Sequence, residues 1–423
     1  MTEFSPAATA GIAYRYRRLG RLALLGALSA FGPLSMDMYL PSTPAIATSL
    51  HASQPLVQLT MSACLAGLAV GQLVAGPVSD SIGRRAPLLA GLCAFTVLSV
   101  GCALAPDIGA LIAFRFLQGM AGAAGIVVSL AMVRDMYEGR DLARILGSLM
   151  LVFGVAPVLA PVIGGQLLRF TSWRGVFAVL AGVGLALLAA SWRLPETVPP
   201  GRRSHGRFAQ LRADSRTLLR DRQYRGNALA IGCSNAALIT YIAALPFIVE
   251  DAYGRSPQLF SLVFAINALG LTIMAQIGAR LVRRRSPATL VRAALVAQLL
   301  GGAGVLAAAL TGHPPLAGLL VPLFVFVAAF GMMRPNAAAL ALAGQGAIAG
   351  TASAYLGALP FLLGAAIAPA SGTDGRGATL PAAIVIATLT AAALASQLLL
   401  TQRSGEVSSP ANREHRPERG LKR

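Results

Sequence analysis

The chain has 423 residues and a formal net charge of +19, with 56% hydrophobic and only 12% charged residues, against about 25% charged in soluble domains. A mean hydropathy of +0.67, with apolar runs along the whole length, excludes a separate soluble domain of any size and points to a polytopic membrane protein. Nucleic acid is excluded as the reason for the positive charge, because no basic domain with interleaved aromatics is legible.

A hydrocarbon core about 30 Å thick takes about 20 apolar residues per helix. Twelve runs have that length: 22–44, 56–78, 87–105, 108–132, 143–168, 173–193, 226–249, 257–279, 288–310, 315–340, 347–370 and 379–401. They are too long for strands, they lack period-2 alternation, and an open sheet edge cannot face lipid. The predicted fold class is an all-α membrane protein with twelve transmembrane helices.

The tail 1–21 carries Arg15, Arg17, Arg18 and Arg21 ahead of the first run. That order resembles a signal peptide, but the apolar stretch continues too far and no small-residue cleavage site closes it, so the segment is expected to stay. The first run holds Asp37 in "SMDMYLPSTP" (35–44), the one formally charged residue between Leu22 and Ser79. Pro33, Asp37, Pro41 and Pro44 lie three or four apart and form one helical stripe. Pro41 removes the N–H that would bond the Asp37 carbonyl, and Pro44 does the same for Leu40. Bare carbonyls and burial both disfavour an ionised carboxylate. Intramembrane ionisable groups are functional by default, so Asp37 is a candidate proton carrier. The alternative is a carboxylate permanently paired with Arg115.

The second run closes on "GPVSDSIGRRAPL" (76–88). Asp80 falls at a helix C-terminus, where the backbone's partial negative charge disfavours a carboxylate, so a cationic partner or another helix's N-terminus is expected beside it. Gly83 fits a tight turn, and Arg84 and Arg85 anchor one membrane face. In the fourth run "RFLQGMAG" places Arg115, Gln118, Gly119 and Gly122 on one face. The glycines let a neighbouring helix approach, and the permanently charged arginine needs a polar interior. Near Asp37 it would compete with the proton; otherwise it anchors structure through backbone carbonyls. The fifth run puts Gly147, Gly154, Pro157, Pro161 and Gly164 on roughly one side. That pattern serves close packing, or a bendable hinge and seal between helices.

A polar, Arg-rich linker (195–225) joins six runs in 22–194 to six in 226–401, and a polar tail (402–423) is expected to be disordered. Polar and aromatic residues within the runs, Tyr39, Asn235, Tyr241, Phe247, Phe264, Asn267, Asn336 and Tyr355, are candidates for substrate contact or for interhelical hydrogen bonds. Cys64, Cys93, Cys102 and Cys233 are expected as free buried thiols, without metal-ligand spacing. The four histidines (His51, His205, His313, His415) fall in loops, linker or tail. No phosphate-cradling loop, His-rich set or paired intramembrane carboxylates point to an enzyme, a metal or a cofactor.

Basic residues cluster in alternate connections: before the first run, at Arg84 and Arg85, at Arg134, Arg140 and Arg144, from Arg193 to Arg225, from Arg280 to Arg285, and from Arg403. The intervening connections hold only Arg169, Arg174, Arg255 and Arg376. This asymmetry places both termini and the linker in the cytoplasm. The halves are also weakly self-similar. "SIGRRAPL" (81–88) can be laid over "RLVRRRSPATL" (280–290), and the first and seventh runs each place a Tyr shortly before Pro. Transporters with such repeats bind substrate near the midplane, between the halves.

With these residues in view, the chain resembles a major facilitator superfamily transporter of the twelve-helix drug/proton antiporter type, and most of all its bicyclomycin-resistance (Bcr/CflA) subfamily. Gly76–Leu88 matches the superfamily's loop motif, which implies a cytoplasmic gate closed when Asp80 engages its neighbours, with Arg134 a plausible partner. "RFLQG" with Gly122 matches the motif whose arginine is tied to proton transfer. "APVIGG" (160–165), ending in Gly164 and Gly165, matches the antiporter motif of helix five, although Ala156 and Ala160 stand where that pattern prefers glycine. "DMYLPSTP", "SWRGVF" (172–177), "LPET" (194–197), "FGMMRPNAAALAL" (330–342) and "GTASAYLGALPFLLGA" (350–365) look like the subfamily in particular. The resemblance implies two six-helix bundles that rock around a central cavity in the inner membrane. Proton uptake at Asp37 and binding of drug-like amphipathic molecules would alternate, in a chain expected to act as a monomer in the lipid bilayer without cofactor or nucleic acid. The rival reading is an exporter or importer of a specific metabolite.

Overall fold

The computed structural model describes residues 6–198, 215–312, 314–345, 348–367 and 379–401. The central part of the linker, the C-terminal tail and the histidines His205, His313 and His415 lie outside the described residues. Among the described residues the regular elements are all helical. Helix α1 (Pro6–Asp37) gives way to a 3-10 turn (Leu40–Ser42) and a short α2 (Thr43–Ser49). Then follow α3 (Gln54–Ile82), α4 (Arg85–Ala103), α5 (Ile108–Met136), α6 (Gly139–Leu167) and α7 (Trp173–Ser191). After the linker come α8 (Arg222–Pro246), continued by a π turn (Phe247–Ala252), α9 (Pro257–Leu281), α10 (Pro287–Leu310), α11 (Leu316–Leu342), α12 (Ala349–Ile367) and α13 (Thr379–Thr401).

Within the described residues the twelve apolar runs fall on these helices, the first being divided between α1, the 3-10 turn and α2. Among the described residues nine helices are long and apolar enough to cross a membrane, or ten when the bent pair Gly20–Gly32 and Leu34–Ser49, which meet at 41°, counts as one span. Short connections make successive helices antiparallel neighbours. The α3–α4 loop and the linker therefore share one face of the molecule, called the linker face below. The α1–α2 break, the α6–α7 loop and the π turn share the opposite, far face.

The chain breaks after Asp37 for the reason its prolines foretell, with one correction. Pro41 offers no N–H to the Asp37 carbonyl. The Leu40 carbonyl, expected to be bare, accepts the Thr43 hydroxyl at 2.8 Å, and the Tyr39 carbonyl accepts the Ser42 hydroxyl at 2.5 Å. Short hydroxyl side chains thus satisfy what Pro44 leaves open.

Helices α1 to α7 pack mainly with one another, as do α8 to α13, and the two sets meet along α6 with α9 and along α3 with α12. Lipid offers no hydrophobic drive between helices, so close contact at small residues does the work. Gly119 of α5 lies against the Cys64 carbonyl of α3 so tightly that a Cβ would fall on it. Gly331 of α11 lies against the Leu271 carbonyl of α9 in the same way, which repeats the arrangement in the second half. The cysteines are free, but not all are buried: Cys64 and Cys102 are, Cys233 is half-buried, and Cys93 is exposed on α4. The apolar run that carries Cys93 therefore has an outward-facing side there.

Candidate functional site

Asp37 is the last residue of α1, 9% exposed, with no side-chain hydrogen bond or ion pair among the described residues. Its carboxyl group is close enough to Tyr241 of α8 to interact electrostatically. Tyr241 belongs to the other half. Its hydroxyl accepts a hydrogen bond from Asn267 Nδ2 of α9 at 2.8 Å, and its ring stacks on Phe264 at 6.2 Å. Asp37 therefore lies near the seam between the halves.

Arg115 is fully buried within the first half. Its Nη1 donates to Gln118 Oε1 at 2.7 Å and to the Ser35 carbonyl at 3.5 Å, and its guanidinium lies 4.3 Å from the centre of the Tyr39 ring. Gln118 in turn donates to Ser99 at 2.7 Å. Nε and Nη2 find no hydrogen-bond acceptor. The alternative reading, a permanent pair with Asp37, has no counterpart among the described residues. An aromatic face, an amide and a carbonyl receive this charge instead.

The candidate contact residues divide. Tyr241 and Asn267 meet each other beside Asp37, whereas Tyr39 belongs to the Arg115 network, where its hydroxyl lies 3.3 Å from Thr60 Oγ1. Asn235 donates to the Pro360 carbonyl of α12 at 3.3 Å, and Asn336 to the Met332 carbonyl one turn back on its own helix at 2.8 Å. Only the Asn235 bond joins two helices, and neither residue reaches the Asp37 region by a bond it makes here. Phe247 is buried at the start of the π turn, and the Tyr355 hydroxyl lies 2.7 Å from that of Ser215.

On the linker face Asp80 takes its cation from Arg84, whose Nη1 lies 2.5 Å from Asp80 Oδ1, while Arg84 Nε donates to Asp135 Oδ2 at 3.0 Å. Arg134, the plausible partner that the resemblance offered, is exposed, and the next residue, Asp135, bonds Arg84. Arg84 is buried, so it is an ion-pair hub rather than a surface anchor. Burial works against its charge, but Asp135 and Asp80 outweigh that and raise its pKa above the ordinary arginine value. Gly76 lies on α3, and its carbonyl accepts the Ser79 hydroxyl at 2.9 Å. Glu196 was missed as a site residue, although "LPET" marked its position. Its carboxylate accepts the N–H of Arg84 at 2.8 Å and of Arg85 at 3.1 Å, at the start of α4. Burial alone would raise its pKa, but backbone N–H bonds from Arg84, Val198, Arg85 and Thr197 hold it below the usual carboxylate range. Gly83, at φ 106°, leaves room for that carboxylate.

Helix α6 supplies the seam on the far side. A Cβ on Gly164 would fall on the Met38 carbonyl, directly after Asp37. Ser261 of α9 donates to the Pro161 carbonyl at 2.8 Å, and Gln258 donates to the Gly165 carbonyl at 3.0 Å. Gln58 of α3 adds a bond to the Ala243 carbonyl of α8 at 3.3 Å. Gly147 and Pro157 lie on the same helix, and their surroundings fall outside the described residues.

The sequence model of the family described as Major Facilitator Superfamily matches residues 25–369. The MFS-type transporter YdgK of Bacillus subtilis is 41% identical over 394 residues, covering 92% of this chain and 98% of that protein. The bicyclomycin resistance protein homolog of Haemophilus influenzae is 32% identical over 344 residues, covering 81% and 86%. A crystal structure of the nucleoside transporter NupG superposes with a TM-score of 0.74 at 13% identity, covering 90% of this chain and 99% of that one, a likeness of fold alone. The chain belongs to the major facilitator superfamily, in its bicyclomycin-resistance (Bcr/CflA) branch, and is a multi-pass transport protein of the inner membrane rather than an enzyme.

Proposed function

We propose that this transporter is a proton-coupled exporter of drug-like amphipathic small molecules, working by alternating access between bundles 22–194 and 226–401. The chain crosses the membrane twelve times, and the linker face, with both termini, is cytoplasmic. The observation that carries the reading is Asp37: a carboxyl group at a helix break in an apolar run, without an ion-pair partner among the described residues, and near Tyr241 of the other half. A group so placed can take a proton when the far face opens and lose it when a substrate occupies the seam. The apolar setting around Tyr241, Phe264 and Asn267 suits amphipathic molecules, neutral or cationic, with loose selectivity. The resistance named for the Haemophilus relative agrees with export of such compounds.

The energetics are sufficient. One proton crossing a potential of 100 mV supplies about 2.3 kcal/mol. For a neutral substrate that sustains a gradient of between about one and two decades.

The test is proton release. Purified wild-type protein and Asp37→Asn are titrated with candidate cationic and neutral drugs in weakly buffered detergent. Drug-dependent release from the wild type and none from the variant is the expected result. Release that persists in the variant moves the proton site elsewhere, and binding without release from either protein removes direct coupling at Asp37.

A further inference from the structure

On the far face, between the two halves, lies a cavity of about 450 Å³ bordered by Pro41, Ser49, Ser172, Trp173, Arg174 and Glu250 among others. It sits outside the Asp37–Tyr241 seam, and no part of the transport reading uses it. Two ionisable side chains border it, and they are in different condition. Arg174 donates to the carbonyls of Ala103 and Ala105 at the end of α4, both at 2.9 Å, and its guanidinium lies 4.2 Å from the centre of the Trp173 ring. Helix-end carbonyls and an aromatic face together occupy that cation. Glu250, by contrast, has a buried Oε1 that accepts no hydrogen bond among the described residues.

Glu250 stands in the π turn that ends α8, where the Tyr253 N–H bonds the Ile248 carbonyl at 3.1 Å and the Arg255 N–H bonds the Val249 carbonyl at 3.0 Å. Such wide turns are rare and concentrate at functional sites. A buried acceptor left open is costly unless something fills it part of the time. The cavity thus has apolar and aromatic walls, hydroxyl groups at Ser49 and Ser172, a cation already engaged, and one acceptor unengaged.

We propose that this cavity is a binding site for a small organic cation, with Glu250 receiving the positive charge and Trp173 and Pro41 as walls. As a station that a departing substrate meets after the Asp37 region, it rests on the exporter reading; as a binding site it does not. The same cationic chemistry is present in the ammonium headgroup of phosphatidylethanolamine, which the experiment separates from a soluble ligand.

The chain has two tryptophans, Trp173 and Trp192. In a Trp192→Phe background Trp173 alone reports. Full-length protein in phosphatidylglycerol nanodiscs is titrated with 1-methylpyridinium, a cationic quencher of indole fluorescence, and with neutral acrylamide. The expected result is saturable quenching by the cation, weakened about tenfold or more by Glu250→Gln, as loss of a charge-assisted contact demands. Glu250→Asp and Asp37→Asn keep the saturable response, and acrylamide quenches all variants alike, which also reports that each is folded. In discs that include phosphatidylethanolamine, protection of Trp173 that requires Glu250 assigns the site to the lipid ammonium. Cation quenching unchanged by Glu250→Gln, with no Glu250-dependent protection by the lipid, overturns the proposal. Failure of the exporter reading is seen separately, in the proton-release titration, and leaves the Trp173 signal untouched.

Discussion

The Glu196 carboxylate joins the segment after α7 to the first turn of α4, accepting the Arg84 N–H at 2.8 Å and the Arg85 N–H at 3.1 Å. An anion at a helix N-terminus gains about 0.3–1 kcal/mol from the helix dipole, and hydrogen bonds to a charged group about 1.5–3 kcal/mol each. Glu196→Gln keeps one acceptor and loses the charge. It is expected to lower thermal stability in detergent and to reduce transport severalfold at unchanged protein level. The pH dependence has a definite sign. The folded carboxyl is held below its usual range, so its contribution is present above the unfolded value and is lost as pH falls through the folded one. The stability gap between wild type and Glu196→Gln is therefore flat at neutral pH and closes only below about pH 4. A gap that changes between pH 6 and 8 would show that another group carries the effect.

Gly83 is where that clasp tolerates no side chain. Its φ of 106° and ψ of 167° lie in a region open almost only to glycine. A Cβ there would also sit 2.5 Å from Glu196 Oε2. Gly83→Ala is expected to cost about 1–3 kcal/mol from backbone strain alone, with a further loss as Glu196 is pushed from α4. Thermal unfolding of Gly83→Ala, Glu196→Gln and the double variant measures the two parts. Glu196→Gln should cost less in the Ala background than alone, because the contact it removes is already broken.

The helices were legible because a bilayer demands long apolar runs, and Asp37 was legible because a lone charge in such a run stands out. Motif residues were found, but not always their partners. Asp80 called for a cation without saying which, and Arg84 four residues on supplies one. Glu196 lies 112 residues beyond Arg84, and only folding brings it back to α4. The Leu40 carbonyl looked bare because the proline count ignores hydroxyl side chains, and Thr43 fills the gap. Glu250 was passed over because a π turn has no compositional mark and the residue falls just past the apolar run. Asn235 and Asn336 looked like pocket residues because an amide in lipid needs a partner; Asn235 finds it on α12, and Asn336 on the previous turn of its own helix.

Arg115 makes its bonds without Asp37, and that separates two mechanisms by genetics. Had they formed a buried pair, removing both charges would be better tolerated than removing one. Here Arg115 is held by Gln118, the Ser35 carbonyl and the Tyr39 ring. Arg115→Gln is expected to reduce drug efflux by about tenfold or more, the scale of a lost buried charge-assisted bond. Asp37→Asn should not restore it. Arg115→Lys should rescue poorly, since an ammonium cannot reproduce the planar contact over Tyr39. Recovery of efflux or of folded protein in the double variant would establish that the two residues pair in another state of the cycle.

Gly164 tests whether the seam beside Asp37 must close for transport. Its Cα faces the Met38 carbonyl with no space for a methyl group, and Gly165 next to it meets Ser261 of the other half. Gly164→Ala forces α6 away from the α1 break, and Gly164→Val does so further, at about 1–3 kcal/mol for overpacking. The far face should then open more readily, because the Pro161–Ser261 and Gly165–Gln258 bonds depend on that approach. A cysteine placed at Ser261 should become more reactive towards a membrane-impermeant maleimide added from outside, in the order Gly164→Val, Gly164→Ala, wild type. Efflux should fall in the same order while the protein still reaches the membrane. If labelling rises and efflux is unchanged, closure at α6 is not required for the transport cycle. If labelling does not rise, the Met38 contact does not hold the far face shut.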